Sequence, residues 1–478
     1  MAIFKEYPGL ESGQPLVLYE LNEVPWRVID WYVQLRPNSA MARLVAKAKT
    51  FVTVTQDEGE LHPWTTWPTF HRGVCNTQHN VRFINQSLEG AKAFPPIWEA
   101  ASQAGKRVGV FGSLQSYPPP KEGDYVFYVP DTFAPGCETL PDKYAAFQRF
   151  NLRQTQRDGA QAGAVQFDSS IASDIANMLK TGLRLGTCAA LAVHLAKERI
   201  SPLYRSRRAV LQALVSFDIF QHALKASKPD FCTFFTNHVA GMMHRYWKHT
   251  FPEDFETTLT TAEDHFHAGG IAYAMDIADQ QIDKLMAYVD GKGGRLIVAS
   301  SMGQEAIKRG TYFGEWRISD VPRFLHSIGW SAPAHNLLAM QPDFNFSFDS
   351  TEDAENFLKQ TNCLTDADGL SIWKRQQRNG KTVNLGLAPS PAAMASGEAY
   401  LANPNGPPTR LGIDSLGMNF LKRDPGTGYH QPKGSLLLYG FGVSAYDTRT
   451  EVDSTAFRSA ILGMLGVSAG SANEGQLT

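Results

Sequence analysis

Several short stretches of the chain carry residue types that do chemistry. The apolar run Pro15 to Glu20 (PLVLYE) is followed by Asn22 and Glu23, and Phe231 to Phe235 (FCTFF) by Asn237 and His238, with His244 beyond them. Leu296 to Ala299 (LIVA) leads into Ser300 and Ser301, and His430 stands shortly before Ser435 to Tyr439 (SLLLY). The stretch HPWTTWPTFHRG adds three hydroxyls, Thr65, Thr66 and Thr69. A carboxylate and several imidazoles gathered at one place suit a divalent cation such as zinc, or manganese where oxygen ligands dominate. A hydroxyl beside such an ion is lowered in pKa and can act as a nucleophile. Spacing supports less. Asn237 and His244 are seven residues apart, on one helix face but two turns, roughly 10 Å, from each other. They meet at one ion only where the backbone departs from a straight helix. Each residue also has a plain structural reading. Asn and Ser after a strand cap or turn the chain, Trp64, Trp67 and Trp247 pack, and a lone histidine is more often hydrogen-bonded than a ligand.

The elements that must position these residues follow from the hydrophobic pattern. Pro15–Glu20, Phe51–Thr55, Arg107–Phe111, Tyr125–Pro130, Phe231–Phe235, Leu296–Ala299 and Ser435–Tyr439 are short apolar or β-branched runs and are expected strands. Helices are expected over most of Ile29–Thr50, over Ile97–Ala104, from about Ile271 to Tyr288 and over Thr455–Leu465. Strands that alternate with helices and read as continuous apolar runs belong to a mainly parallel sheet covered on both faces. Ligands of such sheets gather beyond the carboxyl ends of the strands, which is where the polar residues above fall.

At 478 residues, 43% hydrophobic and 19% charged, the chain has material for two or three domains or one large α/β domain with insertions, and global disorder is excluded. A net charge of −2 argues against a broad nucleic-acid surface. The five cysteines are scattered and odd in number, so neither a disulfide framework nor a structural zinc knuckle is expected. The start lacks the layout of a signal peptide. The most apolar stretch, Cys188 to Ala196, is short and interrupted by His194, so no membrane partner is expected. The expectation is a cytoplasmic protein whose last dozen residues are frayed.

The order of these pieces resembles the alkaline phosphatase superfamily, and most of all its branch of type I phosphodiesterases and nucleotide pyrophosphatases. The resemblance runs from about Leu16 to Val467. It implies a three-layer α/β sandwich with a central, mostly parallel sheet, formed by residues 15–131, 228–307 and 421–467. A helical insertion at 132–227 and a second insertion or cap at 308–420 would interrupt it. It also implies a two-metal site and a Thr or Ser nucleophile that hydrolyses phosphate mono- or diesters. By motif, Asn22 or Glu23 stands where the first strand supplies an Asp ligand. PWTTWPTFHRGVCNTQH matches the nucleophile turn, with Gly73 and His79 in corresponding places and Thr66 the chosen nucleophile over Thr65 and Thr69. TNHVAGMMHRYW matches a segment that reads Asp, three residues, His, so that Asn237 or His238 replaces the Asp and His244, after a longer gap, the His. GYHQPKG supplies a final ligand, His430.

One departure matters most. Where the family reads Asp-His-Gly after its strand, this chain has Ser301, Met302 and Gly303, and neither Ser nor Met is a good ligand for a hard or borderline dication. This removes two of the usual ligands of the metal that activates the nucleophile, and Asn22 weakens the same site unless Glu23 takes over. Three outcomes are expected: one surviving metal, probed through Asn22, Glu23, Asn237, His238, His244 and His430; unusual ligands drawn from Glu305, His62 or His71; or a ligand-binding pseudoenzyme of the same fold. The expected partner in each is a small-molecule phosphate or sulfate ester.

Overall fold

The computed structural model describes residues 9–468, apart from 12, 122, 159–168, 309–312, 338, 340–342, 404–405, 424–425 and 443–448. The frayed tail expected from the sequence lies almost wholly outside the described residues. The architecture is the expected α/β sandwich. Strands β1 (Leu16–Leu21), β2 (Ala48–Val54), β3 (Val108–Phe111), β4 (Tyr125–Val129), β5 (Phe231–Thr236) and β6 (Arg295–Ala299) join Leu436–Tyr439 and Thr450–Asp453 in one sheet. Its order is Thr450–Asp453, β2, Leu436–Tyr439, β6, β1, β5, β3, β4. Leu436–Tyr439 runs antiparallel to both its neighbours, and every other pairing is parallel.

β1 lies at the middle of the sheet and is buried along its whole length, which is why it reads as an uninterrupted apolar run. Val17, Tyr19 and Leu21 face one hydrophobic core and Leu16 and Leu18 the other. On the first face Gly270–Asp290 packs with Ile271, Met275, Ile282 and Leu285 inward. On the second lies α3 (Pro63–Arg72), with Trp67 and Phe70 in the core. The expected helix over Ile29–Thr50 is two helices, α1 (Trp26–Leu35) and α2 (Ala40–Lys47), and β2 already begins at Ala48. Pro37 and Asn38 break the first, and the Ser39 hydroxyl caps the second by accepting from the Ala42 amide.

The two expected insertions have different characters. The first shares the main core: Tyr144, Phe147 and Met178 belong to it, as do Val215, Phe217, Phe220 and Leu224 of its last helix, Gln212–Ser227. The second has its own core, around Trp316, Phe346, Phe357, Val383 and Leu385, beneath a four-stranded antiparallel sheet. Among the described residues no helix is long and apolar enough to cross a membrane.

Candidate metal centre

Register brings the polar strand ends together. Leu21 of β1 pairs with Thr236 of β5, and Glu20 with Ala299 of β6. Asn22–Glu23, Asn237–His238 and Ser300–Ser301 therefore leave the sheet side by side at its carboxyl edge. Beyond β6 the chain forms a two-stranded ribbon, Gly303–Ala306 against Gly428–Gln431, in which His430 lies opposite Gln304. A Cβ on Gly428 would sit 2.5 Å from the Met243 carbonyl oxygen. Glycine is thus required for the ribbon to reach the helix His238–Thr250 that carries His244.

Three of the expected residues converge. Glu23 Oε2 lies 3.0 Å from His244 Nε2 and 3.4 Å from His430 Nε2, and one ligand atom of each falls within 4.8 Å of the others. Glu23 is buried in a left-handed backbone conformation (φ 61°). For a residue with a Cβ this costs roughly 1–2 kcal/mol and is the kind of strain that collects at functional sites. The turn aims the carboxylate back under the strand end. His244 Nδ1 donates to the Gly428 carbonyl, 2.8 Å away, which leaves Nε2 as the nitrogen that faces Glu23. A nitrogen 3.0 Å from a carboxylate oxygen calls for a proton or a cation between them.

The surroundings hold Glu23 in place. Asn22 Nδ2 donates to Glu23 Oε1 at 2.8 Å and to Asn237 Oδ1 at 2.7 Å, while Asn22 Oδ1 accepts from the Trp67 indole at 2.8 Å. Gln304 Nε2 donates to Glu23 Oε2 and, at 3.2 Å, to the Ala240 carbonyl. Burial pushes the Glu23 carboxyl up, but His430 and His244, through charge and hydrogen bonds, outweigh it and hold it well below the usual carboxylate range. Burial pulls the His244 imidazole down, but Glu23 and the Gly428 carbonyl outweigh it and leave it raised. Buried Gln304 Oε1 and His430 Nδ1 have no hydrogen-bond partner among the described residues.

The other expected residues lie elsewhere. His238 is turned into the core, where Thr236 Oγ1 meets its Nδ1 at 2.6 Å and its Nε2 donates to the Ala274 carbonyl at 3.1 Å. Both nitrogens are occupied, and burial brings its pKa down to about 4. His71 lies on the far side of α3, 2.7 Å from the buried Glu20. Glu305 is exposed and pairs with Tyr429 rather than His430. His62 stands at the start of α3, its ring stacked on Trp64 at 4.3 Å and edge-on to His430 at 5.6 Å. Its nitrogens make no hydrogen bond among the described residues, the nearest carboxylate being Glu60 at 3.7 Å, and burial lowers its pKa.

The hydroxyls also separate. Thr69 Oγ1 donates to Asp57 at 2.7 Å and meets His79 Nε2 at 2.9 Å. Since His79 Nδ1 accepts from the Val81 amide, its Nε2 carries the proton and donates to Thr69. This is a closed structural network. Thr66 is fully buried, with Oγ1 2.8 Å from Ser301 Oγ, and Met302 is buried beside Ser301. Thr65 is buried as well. The sequence does not single out Gln304 and assigns Trp67 to packing alone. Gln304 is found only through the ribbon register that sets it opposite His430, and Trp67 only through its bond to Asn22.

No protein-family model and no curated protein sequence matches the chain. Among solved structures, phosphonoacetate hydrolase from Sinorhizobium meliloti 1021, in complex with phosphonoformate, is similar at 12% identity, over 98% of this chain and 98% of that one, with a TM-score of 0.39. Murine ectonucleotide pyrophosphatase/phosphodiesterase 5 is similar at 11% identity, over 95% of this chain and 96% of that one, with a TM-score of 0.36. An inactive variant of the murine protein in complex with AMP gives 11%, 95%, 96% and 0.37.

Proposed function

We propose that this chain is a single-metal hydrolase or transferase of the alkaline phosphatase type, acting on a small-molecule phosphate ester or diester. Glu23, His244 and His430 hold the ion. The observation that carries this reading is the Glu23 carboxylate set between two imidazoles, one of them fixed by the Gly428 carbonyl so that its Nε2 faces the carboxylate. Two His and one carboxylate are a donor set for catalytic zinc, with manganese as the alternative. The bound ion supplies charge stabilisation at a phosphoryl oxygen. Asn22 and Gln304 orient the Glu23 carboxylate, the outer-layer role that fixes a ligand's direction. His62, edge-on to His430 and 3.7 Å from Glu60, is the group to take or return a proton. Thr66 is the nucleophile, its hydroxyl oriented by Ser301.

A second reading is favoured by one observation. Thr66 is fully buried and bonded to Ser301, with Met302 next to it, as suits a ligand-binding pseudoenzyme. One experiment separates the two: metal analysis of the purified protein before and after loading with Zn²⁺ or Mn²⁺, alongside His244→Ala and His430→Ala, followed by turnover of bis(p-nitrophenyl) phosphate. One equivalent of metal, lost in both variants, with turnover that follows it, is expected. Metal without turnover moves the protein to the second reading. No metal under any loading overturns the metal centre itself.

A further inference from the structure

The helix Leu185–Ile200, far along the chain from the site residues, is turned inside out. Its polar side chains point inward. Thr187 Oγ1 donates to Asp218 at 2.6 Å, His194 Nε2 donates to the Tyr204 carbonyl at 3.0 Å, and buried Glu198 accepts from Arg208 Nε at 2.9 Å. Its outward residues are apolar: Leu185, Gly186, Ala189, Ala190, Ala192, Val193, Leu195, Ala196 and Ile200 are exposed, and only Lys197 and Arg199 interrupt them. Leu185 is 76% exposed, Val193 55% and Ile200 86%, and Leu179, 40% exposed, lies just ahead of the helix. Large aliphatic side chains gathered like this on a water-facing surface mark an interaction site.

The charge around the patch says what it meets. Between residues 171 and 209 the acidic residues are Asp174 and Glu198. Both are buried, and both are paired, Asp174 with Arg149 at 2.8 Å and Glu198 with Arg208. The exposed charges are Lys180, Arg184, Lys197, Arg199 and Arg205, all basic, on a chain whose net charge is −2. A second copy of the chain is a poor occupant. A two-fold pair of these helices sets Arg184 against Lys197 and Arg199 if antiparallel, and each basic residue against itself if parallel. An apolar face with a basic border, about 24 Å long at 1.5 Å per residue, is instead the pattern of a helix that lies in the plane of a membrane surface.

We infer that the chain docks reversibly on anionic lipid bilayers through Leu185–Ile200, with Leu185, Val193 and Ile200 entering the interface and Lys197 and Arg199 resting on lipid phosphates, while Arg184 pairs with Asp218 at 3.5 Å. The inference stands on this helix alone and does not depend on the metal centre. It is tested by co-sedimentation of the full chain with vesicles of phosphatidylcholine alone and of equal parts phosphatidylcholine and phosphatidylglycerol, at low and high salt. Binding to the anionic vesicles that weakens with salt is expected. Lys197→Gln with Arg199→Gln should weaken it about thirtyfold, and Val193→Asp by at least about tenfold. Because these side chains are exposed, the variants should keep the wild-type circular dichroism and melting temperature. Equal binding of wild type and variants, or no binding to anionic vesicles at low salt, overturns the inference. So does a dimer in sedimentation velocity that Val193→Asp dissolves, since a second copy then covers the face.

Discussion

The carboxyl edge of the central sheet holds two unlike halves. In one, Glu23, His244 and His430 bring a buried carboxylate and two imidazoles within 4.8 Å. In the other, Thr66, Ser301 and Met302 are neutral and buried, and the two hydroxyls satisfy each other. Asn22 lies between them, accepting from Trp67 and donating to Glu23. An ion needs charge and directed lone pairs, and a carboxylate buried without a counter-charge is costly. The first half is stable only with a proton or cation shared among its members, whereas the second is stable as it stands. The comparison teaches that a strand end without charged side chains need not leave a hole. Amide and hydroxyl groups can close it at no charge cost.

The largest effect should come from separating the halves chemically. Thr66→Ala should lower phosphodiester turnover about 10⁴-fold or more while leaving metal content at the wild-type value; measured turnover within a few-fold of wild type would remove Thr66 from the reaction. Next, Ser301→Asp puts an unpaired charge into the neutral half. It should cost about 3–5 kcal/mol in urea unfolding, and added Zn²⁺ should restore part of that loss. A variant as stable as wild type without metal would mean that this half is open to water.

His238 sharpens the contrast between two histidines of one helix. Its folded pKa, about 4, lies below the ordinary 6.5. Between those values the unfolded chain binds the extra proton and the folded chain does not. Its contribution is therefore complete above about pH 6.5 and is lost as pH falls toward 4, by about 3 kcal/mol in total. Unfolding free energies of wild type and His238→Gln, compared across that window, should converge at low pH, and parallel curves would refute the assignment. The smallest effect concerns orientation. Gln304→Leu should weaken metal binding about 10–100-fold, read by competition with a chelating dye, with the fold intact by circular dichroism.

Much of the scaffold was legible in the sequence, because parallel strands buried on both faces are written as unbroken apolar runs. β1, β3, β4, β5 and β6 all stand within a residue or two of their expected places. The end of α2 was not, since Ala48–Thr50 suits a helix by propensity and is a strand by pairing with Leu437–Tyr439. Among the candidates the sequence did not separate Glu23, His244 and His430, which the fold brings together, from His238, which it turns into the core. Asn237 and His244 posed a distance problem that the fold resolves by using only His244 at the carboxylate and tying Asn237 to Asn22. The apolar stretch Cys188–Ala196 was noticed only as too short to span a membrane. Which way its faces point depends on Asp218, Tyr204 and Arg208, which come later in the chain.

By itself the sequence determined which residues leave the central strands at the carboxyl edge, because burial on both faces of a sheet imposes a local pattern that can be read along the chain. It determined as well that Ser301-Met302 offers no good ligand for a hard or borderline cation, because ligand chemistry belongs to the residue type. Only the tertiary structure decided that Glu23 rather than Asn22 faces His244 and His430. That choice rests on a left-handed turn at Glu23 and on a ribbon pairing Gln304 with His430, contacts between residues far apart in sequence whose energies appear only when the chain has closed on itself.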